Sequence, residues 1–253
     1  MHRRRVSRRI PWASALVAFL SAHAVSASPA AALDIGYYEM CFGEGAASQA
    51  TPITNAGHTA VKLTDLTAAD LAGVDVAMVY NCSNGSYGSE YLSRLADIDA
   101  AGASGLILVL HDRYVDPAES ILPGGSSFDI QRNESTPESV SIDVLDASTS
   151  ITNGPAGTID NTTLDGGNYS NHGFAIAGTL PGTAKLVLST NDPAHIVTFV
   201  YGHGSGAVLY SSIPLDFYLG GSNNFATIYA VNVAHYAASL VGGDDDAGIA
   251  VID

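Results

Sequence analysis

The sequence predicts an α/β fold: a mostly parallel sheet between helical layers, continued by a β-rich carboxyl half. Three observations carry that prediction. Val74–Tyr80 and Leu106–Leu110 are short, almost wholly apolar runs, as strands buried on both faces of a parallel sheet must be. The segment between them is long enough for a crossover and carries Tyr91, Leu92, Leu95 and Ile98 as one apolar stripe at helical spacing, with Asp97 and Asp99 off it. After Tyr114 the texture changes to Gly, Ser, Asn and Asp punctuated by short β-like runs.

The remaining elements follow in order. Leu33–Met40 reads as a strand, Ala46–Ala56 as a short helix interrupted by Pro52, His58–Leu63 as a second strand and Thr67–Leu71 as a helical turn. Beyond Tyr114, Val140–Val144, Ala184–Ser189, Ile196–Tyr201 and Ala207–Ser212 read as strands. Phe225–Leu240 supplies a closing helix with Ile228, Val231 and Tyr236 among its apolar residues. Gly202-His203-Gly204-Ser205-Gly206 reads as a hairpin turn rather than a phosphate loop, because it lacks the lysine and the following helix that phosphate binding needs. Strands alternating with helices, then a mixed sheet closed by a final helix, make the flavodoxin-like three-layer layout. The expected organisation is one α/β domain over residues 33–241 and an acidic tail over 242–253.

Residues 1–32 are expected to be a secretory signal peptide. Five arginines fall in the first nine residues, Ala13–Leu20 is an apolar core, and small residues follow, with cleavage expected within 24–32. The apolar core is too short to span a bilayer. Ser7-Arg8-Arg9-Ile10 loosely resembles a twin-arginine signal, so the general secretory and twin-arginine routes both stay open. Either leads to an exported protein: periplasmic, extracellular or on the cell surface. No later run reaches the roughly 18 apolar residues of a transmembrane helix, so no membrane span is expected in the mature chain.

Residues 1–32 hold five of the ten basic residues and none of the 25 acidic ones, so the formal charge of −15 becomes −20 for the rest of the chain. Such a surface repels phosphate backbones and anionic lipid, which argues against a nucleic-acid partner. The Asp244-Asp245-Asp246 run reads as a solvated tail without the spaced oxygen ligands of a calcium loop. No H-x-x-x-H or H-E-x-x-H spacing occurs, so neither a metal nor a cofactor is expected. His58, His172 and His203 are scattered singly.

Several motifs in order carry a family resemblance: VDVAMVYN, the small-residue turn AGASG, LILVLH, the segment NHGFAIAGTLPG and a late GSGAVLYSSIPLD. From Leu33 to about Leu240 the chain resembles the class I glutamine-amidotransferase-like superfamily, and within it the ThuA-like branch, as an exported bacterial member. In the family's amidotransferases a Cys sits on a sharp turn after the strand that LILVL resembles, and a late H-P-E supplies the base and its orienter. Here the first place reads Leu110-His111-Asp112-Arg113 and the second Ile213-Pro214-Leu215-Asp216. Without nucleophile and base there is no covalent route to cleave an amide, so the resemblance implies a non-catalytic member. His111 does match a histidine that ThuA-like members often place after this strand.

Ligands of open α/β sheets bind at the carboxyl ends of the strands. The candidate ligand-binding residues there are Ser83, Asn84, His111 and Asp112, and the candidate catalytic residues His111, Asp112 and Glu44, the last from the Gly43-Glu44-Gly45 loop after the first strand. Cys41 and Cys82 are the only cysteines, and each follows a strand. In a flavodoxin-like order those strands are neighbours about 4.8 Å apart, so a disulfide is favoured over a catalytic thiol, for which no basic neighbour is present. Two function classes follow. One is a non-catalytic exported module that binds a small molecule, a glycan or a protein. The other is a hydrolase or isomerase acting on a small polar or sugar-like substrate through His111 and Asp112. Convergence of those side chains in one pocket favours the enzyme, and dispersal favours the module.

Overall fold

Crossover length decides which strands of this protein can run parallel. The computed structural model describes residues 32–40 and 48–242. In the amino half, β1 (Asp34–Glu39), α1 (Ala50–Asn55), β2 (Thr59–Lys62), α2 (Ala68–Leu71), β3 (Val76–Asn81), α3 (Ser89–Leu92), α4 (Leu95–Ala103) and β4 (Ile107–Asp112) alternate. The carboxyl half contributes β5 (Ile130–Arg132), β6 (Asp143–Val144), β7 (Asn153–Gly154), β8 (Gly157–Thr158), β9 (Gly173–Ile176), β10 (Lys185–Ser189), β11 (His195–His203) and β12 (Gly206–Ser211), then α5 (Leu215–Tyr218) and α6 (Ala230–Ser239). The expected signal peptide up to residue 31, Cys41, the Gly43-Glu44-Gly45 loop and the Asp244–Asp246 run lie outside the described residues.

The main sheet has ten strands, with β2, β1, β3, β4, β12, β11, β10 and β6 in that spatial order. The first five are mutually parallel. β11 is antiparallel to β12 because only Gly204 and Ser205 separate their last paired residues, His203 and Gly206. This confirms the hairpin reading. Gly204 takes φ +56°, and a Cβ there would lie 2.4 Å from the Ala103 backbone, so both conformation and space require glycine. β10 and β6 continue the antiparallel edge, and β9 pairs with both β11 and β5. The architecture is therefore the three-layer, mostly parallel α/β sheet with a β-rich carboxyl half.

β3 and β4 are buried at every residue, as their apolar runs require, with Asn81, His111 and Asp112 buried at the carboxyl ends as well. Alternate side chains enter two separate cores. Ile35, Val76, Met78, Ile107, Val109 and Leu209 pack beneath α1 and α6, while Ala77, Val79, Leu108, Leu110, Val208 and Tyr210 pack against α2, α3 and α4. Each large aliphatic side chain buried this way contributes roughly 1.5–3 kcal/mol. Thr67 caps α2, its Oγ1 accepting from the Asp70 amide at 3.2 Å.

Three expectations need correction. The stripe of Tyr91, Leu92, Leu95 and Ile98 is not one helix: the chain breaks at Ser93–Arg94 into α3 and α4, and Leu92 is left 44 % exposed. Arg94 leaves the axis there to form a bidentate pair with Asp65, at 2.6 and 2.9 Å. Val140–Val144 is a strand only at Asp143–Val144: Val140 ends the 3-10 turn Pro137–Val140, and the Ile142 N–H between them donates to Asp165 Oδ1 at 2.7 Å rather than to a neighbouring strand. The closing helix starts as a π-turn, Phe225–Tyr229, before α6. Among the described residues no helix is long and apolar enough to cross a membrane.

Candidate ligand-binding site

β4 extends two residues beyond the apolar run, because His111 pairs with both Tyr80 and Ser211 and Asp112 pairs with Asn81. Successive residues of a strand point to opposite faces, and that separates the two side chains expected to act together. His111 lies under α6, 1 % exposed, with Nε2 3.1 Å from the Tyr229 hydroxyl. The Tyr229 hydroxyl also donates to Ser211 Oγ at 3.0 Å, and Ser211 meets Thr198 at 2.9 Å. Burial pushes the His111 imidazole down to about 3, so it is neutral at ordinary pH.

Asp112 lies on the other face and is fully buried. Its carboxylate accepts from the Tyr87 hydroxyl at 2.7 Å, the Tyr210 hydroxyl at 3.3 Å, the Asn81 amide at 3.3 Å and the Tyr114 backbone N–H at 2.9 Å. Burial raises its pKa, and these donors oppose that rise. Its acceptor positions are occupied by the protein itself. The expectation that His111 and Asp112 border one crevice is thus not met: neither reaches solvent and the sheet lies between them. Ser83 and Asn84 do sit at the rim, in the loop after β3, half-buried and exposed respectively. Glu44 is outside the described residues.

The first side chain past β4 is Arg113, which takes the outward course. Its Nη1 donates to Asp216 Oδ2 at 2.8 Å and to the Cys82 carbonyl at 3.4 Å. Asp216 stands at the start of α5, its side chain 3 % exposed. Leu110–Arg113 and Ile213–Asp216 lie about a hundred residues apart in sequence. They do converge in space, and what they bring together is an arginine–aspartate pair.

Beside that pair lies a second cluster. His172 is 3 % exposed, and its Nδ1 lies 2.9 Å from the Arg113 carbonyl and 2.8 Å from Glu134 Oε1. A carbonyl only accepts, so Nδ1 carries the hydrogen and the neutral ring keeps its lone pair on Nε2. Burial pushes His172 down to about 4, Arg113 adds to that, and Glu134 opposes it. Arg132 Nη2 donates to the same Glu134 oxygen at 2.7 Å, and the Arg132 guanidinium also donates to the Asn84 and Tyr114 carbonyls.

Local sequence explains why His172 is held there. The Asn171 amide donates to the Glu138 and Ser141 carbonyls at 2.9 and 3.2 Å. The His172 N–H donates to the Ser212 carbonyl. Gly173 follows because a Cβ at that position would lie 2.2 Å from the Gln131 carbonyl oxygen of β5. His58 and His203 stay apart from this cluster: His58 Nδ1 accepts from the Leu33 amide and His203 lies 3.0 Å from Asp99.

Arg113, Asn168, Tyr169, His172, Pro214 and Phe217 enclose a niche of about 20 Å³, room for one water-sized group. Phe217 is 51 % exposed and also borders an open hollow of about 510 Å³ on its other side, reaching Asp165, Asn223 and Asn224. A further hollow of about 450 Å³ lies at the opposite, amino ends of the strands, around Val74, Asp75, Gly105 and Leu106. Among the described residues, no group of three or more His, Cys, Asp or Glu side chains is arranged to hold a metal ion.

The sequence reading missed Arg113, Glu134, His172 and Asp216 as a group. The motif places flagged Arg113 and Asp216 only by position, and nothing local links Glu134 to His172.

The fold is a mostly parallel, flavodoxin-like α/β fold that recurs in solved structures. No family model matches the sequence, and no curated protein matches it. Solved structures do. A putative GMP synthase protein from Thermoplasma acidophilum is 13 % identical with a TM-score of 0.55, over 83 % of this chain and 96 % of that one. The cytoplasmic protein STM3548 from Salmonella typhimurium is 11 % identical with a TM-score of 0.52, over 81 % and 98 %. The cytoplasmic protein STM1381 from Salmonella typhimurium LT2 is 12 % identical with a TM-score of 0.52, over 80 % and 98 %. At these identities the likeness concerns the fold alone.

Proposed function

We propose that this chain is an exported, non-catalytic amidotransferase-like module that binds a small molecule, a glycan or a protein at the carboxyl-end crevice. One observation carries the reading: the two places matching the family's nucleophile and base hold the Arg113–Asp216 ion pair. A guanidinium is no nucleophile, and the carboxylate it neutralises is no free base. Dispersal of His111 and Asp112 to opposite faces supports the module over the hydrolase or isomerase that would use them together. The arginine-rich start and apolar core of residues 1–32 support export.

The test is incubation of the purified full chain with L-glutamine and measurement of ammonia. No release above the buffer blank is expected. Release that His111→Ala abolishes overturns the non-catalytic reading.

A further inference from the structure

We propose that Asn84 is a site of spontaneous modification: its side-chain amide is lost through a cyclic imide closed by the Gly85 backbone nitrogen, and the loop after β3 gains a carboxylate. The sequence holds two Asn–Gly pairs, Asn84-Gly85 and Asn153-Gly154, and the fold treats them differently. Ring closure brings the following nitrogen onto the asparagine Cγ, and a Cβ on that following residue obstructs the approach. Asn84 and Gly85 are both exposed, and among the described residues no atom lies within 4 Å of where a Gly85 Cβ would stand. The Gly85 N–H donates to the Ser83 hydroxyl at 3.2 Å, so its proton can leave without breaking a strand pairing. Arg132 supplies activation. Its Nη1 donates to the Asn84 carbonyl, and its guanidinium is fixed by the Tyr114 carbonyl at 3.2 Å and by Glu134 at 2.7 Å. That carbonyl belongs to the peptide unit whose nitrogen attacks, so a cation on its oxygen stabilises the amide anion and acidifies the Gly85 N–H.

Asn153-Gly154 is the internal control. It forms β7, with Asn153 opposite Thr158 and Gly154 opposite Gly157. Asn153 Oδ1 accepts from the Thr158 hydroxyl at 3.0 Å, and the Asn153 N–H donates to the Thr149 carbonyl at 2.9 Å. Gly154 is crowded, since a Cβ there would lie 2.2 Å from the Ser150 carbonyl oxygen and 2.4 Å from Asn232 Oδ1. Closing the imide at Asn153 therefore requires the hairpin to open first. At Asn84 the Gly85 nitrogen loses its proton to water and bonds to Cγ, while the carboxamide nitrogen takes a proton from water and leaves as ammonia. Water then opens the imide at one of its two carbonyls. Arg132 polarises the main-chain carbonyl, so water adds there, and the new carboxylate stays against the guanidinium. The product is then mainly isoaspartyl, with the main chain lengthened by a methylene.

The experiment is incubation of the purified full chain, warm and at mildly alkaline pH, followed by peptide mapping with mass spectrometry and an isoaspartate-specific methyltransferase assay. Amide loss with isoaspartate is expected at Asn84 while Asn153 stays intact, and in the urea-unfolded chain both sites should react alike. Gly85→Ala, at an open position, should slow the loss at Asn84 at least about tenfold with unfolding unchanged. Arg132→Gln should slow it about threefold and lower the isoaspartyl share. Equal loss at Asn84 and Asn153 in the folded chain overturns the proposal, as does an Asn84 that stays intact while the unfolded chain reacts. Loss at Asn84 that Arg132→Gln leaves unchanged overturns the activation by the guanidinium.

Discussion

Arg113 Nη1 lies 2.8 Å from Asp216 Oδ2, joining the end of β4 to the start of α5 across 103 residues of sequence. The pair ties the end of β4 to the start of α5 at the sheet's carboxyl edge. Breaking one side of such a pair leaves a buried charge. Arg113→Met should destabilise the protein by about 3 kcal/mol or more, while Arg113→Met with Asp216→Leu should recover much of that loss. Urea unfolding midpoints of the two variants check it. Equal losses in the single and double variants would show that the pair is not the energetic unit.

Asp112 behaves as a structural hub rather than a ligand contact. Asp112→Ala leaves the Tyr87 and Tyr210 hydroxyls, the Asn81 amide and the Tyr114 N–H short of their acceptor, at roughly 1–3 kcal/mol for each group left unpaired. The expected cost is at least about 3 kcal/mol, with Asp112→Asn milder because it keeps one acceptor oxygen. Thermal unfolding of both variants measures this. A melting temperature unchanged in Asp112→Ala would restore the residue to the crevice as a candidate contact.

Acid should loosen the fold through two histidines. Their folded pKa values, about 3 for His111 and about 4 for His172, lie below the ordinary imidazole value of about 6.5. Above that value both states are neutral and nothing is lost. As pH falls below it the unfolded chain takes up protons that the folded chain refuses, so stability declines. Each histidine contributes up to about 1.4 kcal/mol per pH unit, until pH nears its own folded value. Glu134, Arg113 and Arg132 face His172, whereas His111 meets only uncharged hydroxyls, so the His111 contribution continues to lower pH. Denaturant unfolding at pH 7, 5.5 and 4.5 should show the decline, and a flat profile would contradict the neutral buried state of both rings.

We propose that Cys82 pairs with Cys41. β1 and β3 are adjacent and parallel, and the register that sets Glu39 opposite Tyr80 has the same offset as the spacing of the two cysteines. No described cysteine is free. Such a cross-link typically contributes roughly 2–4 kcal/mol. Thiol titration of the denatured, unreduced protein should find no reactive group. Two would end the proposal.

The sequence by itself determined the layers. Apolar runs at 74–80 and 106–110, a helical turn at 67–71 and a glycine turn at 204 each act through neighbours a few residues away, and each is where local chemistry put it. The site depended on two things that local chemistry does not contain. One is where β4 stops. The apolar run ends at Leu110, but ladder partners on both sides carry the strand to Asp112, and those two residues turn His111 and Asp112 from loop neighbours into side chains on opposite faces. The other is which distant segments meet. Arg113 finds Asp216 and His172 finds Glu134 only because β12 lies beside β4 and the Asn171–Gly173 segment is pinned against β5. Periodicity reports which face is buried, whereas a binding site is made from the few polar groups that the packed faces leave at their edge.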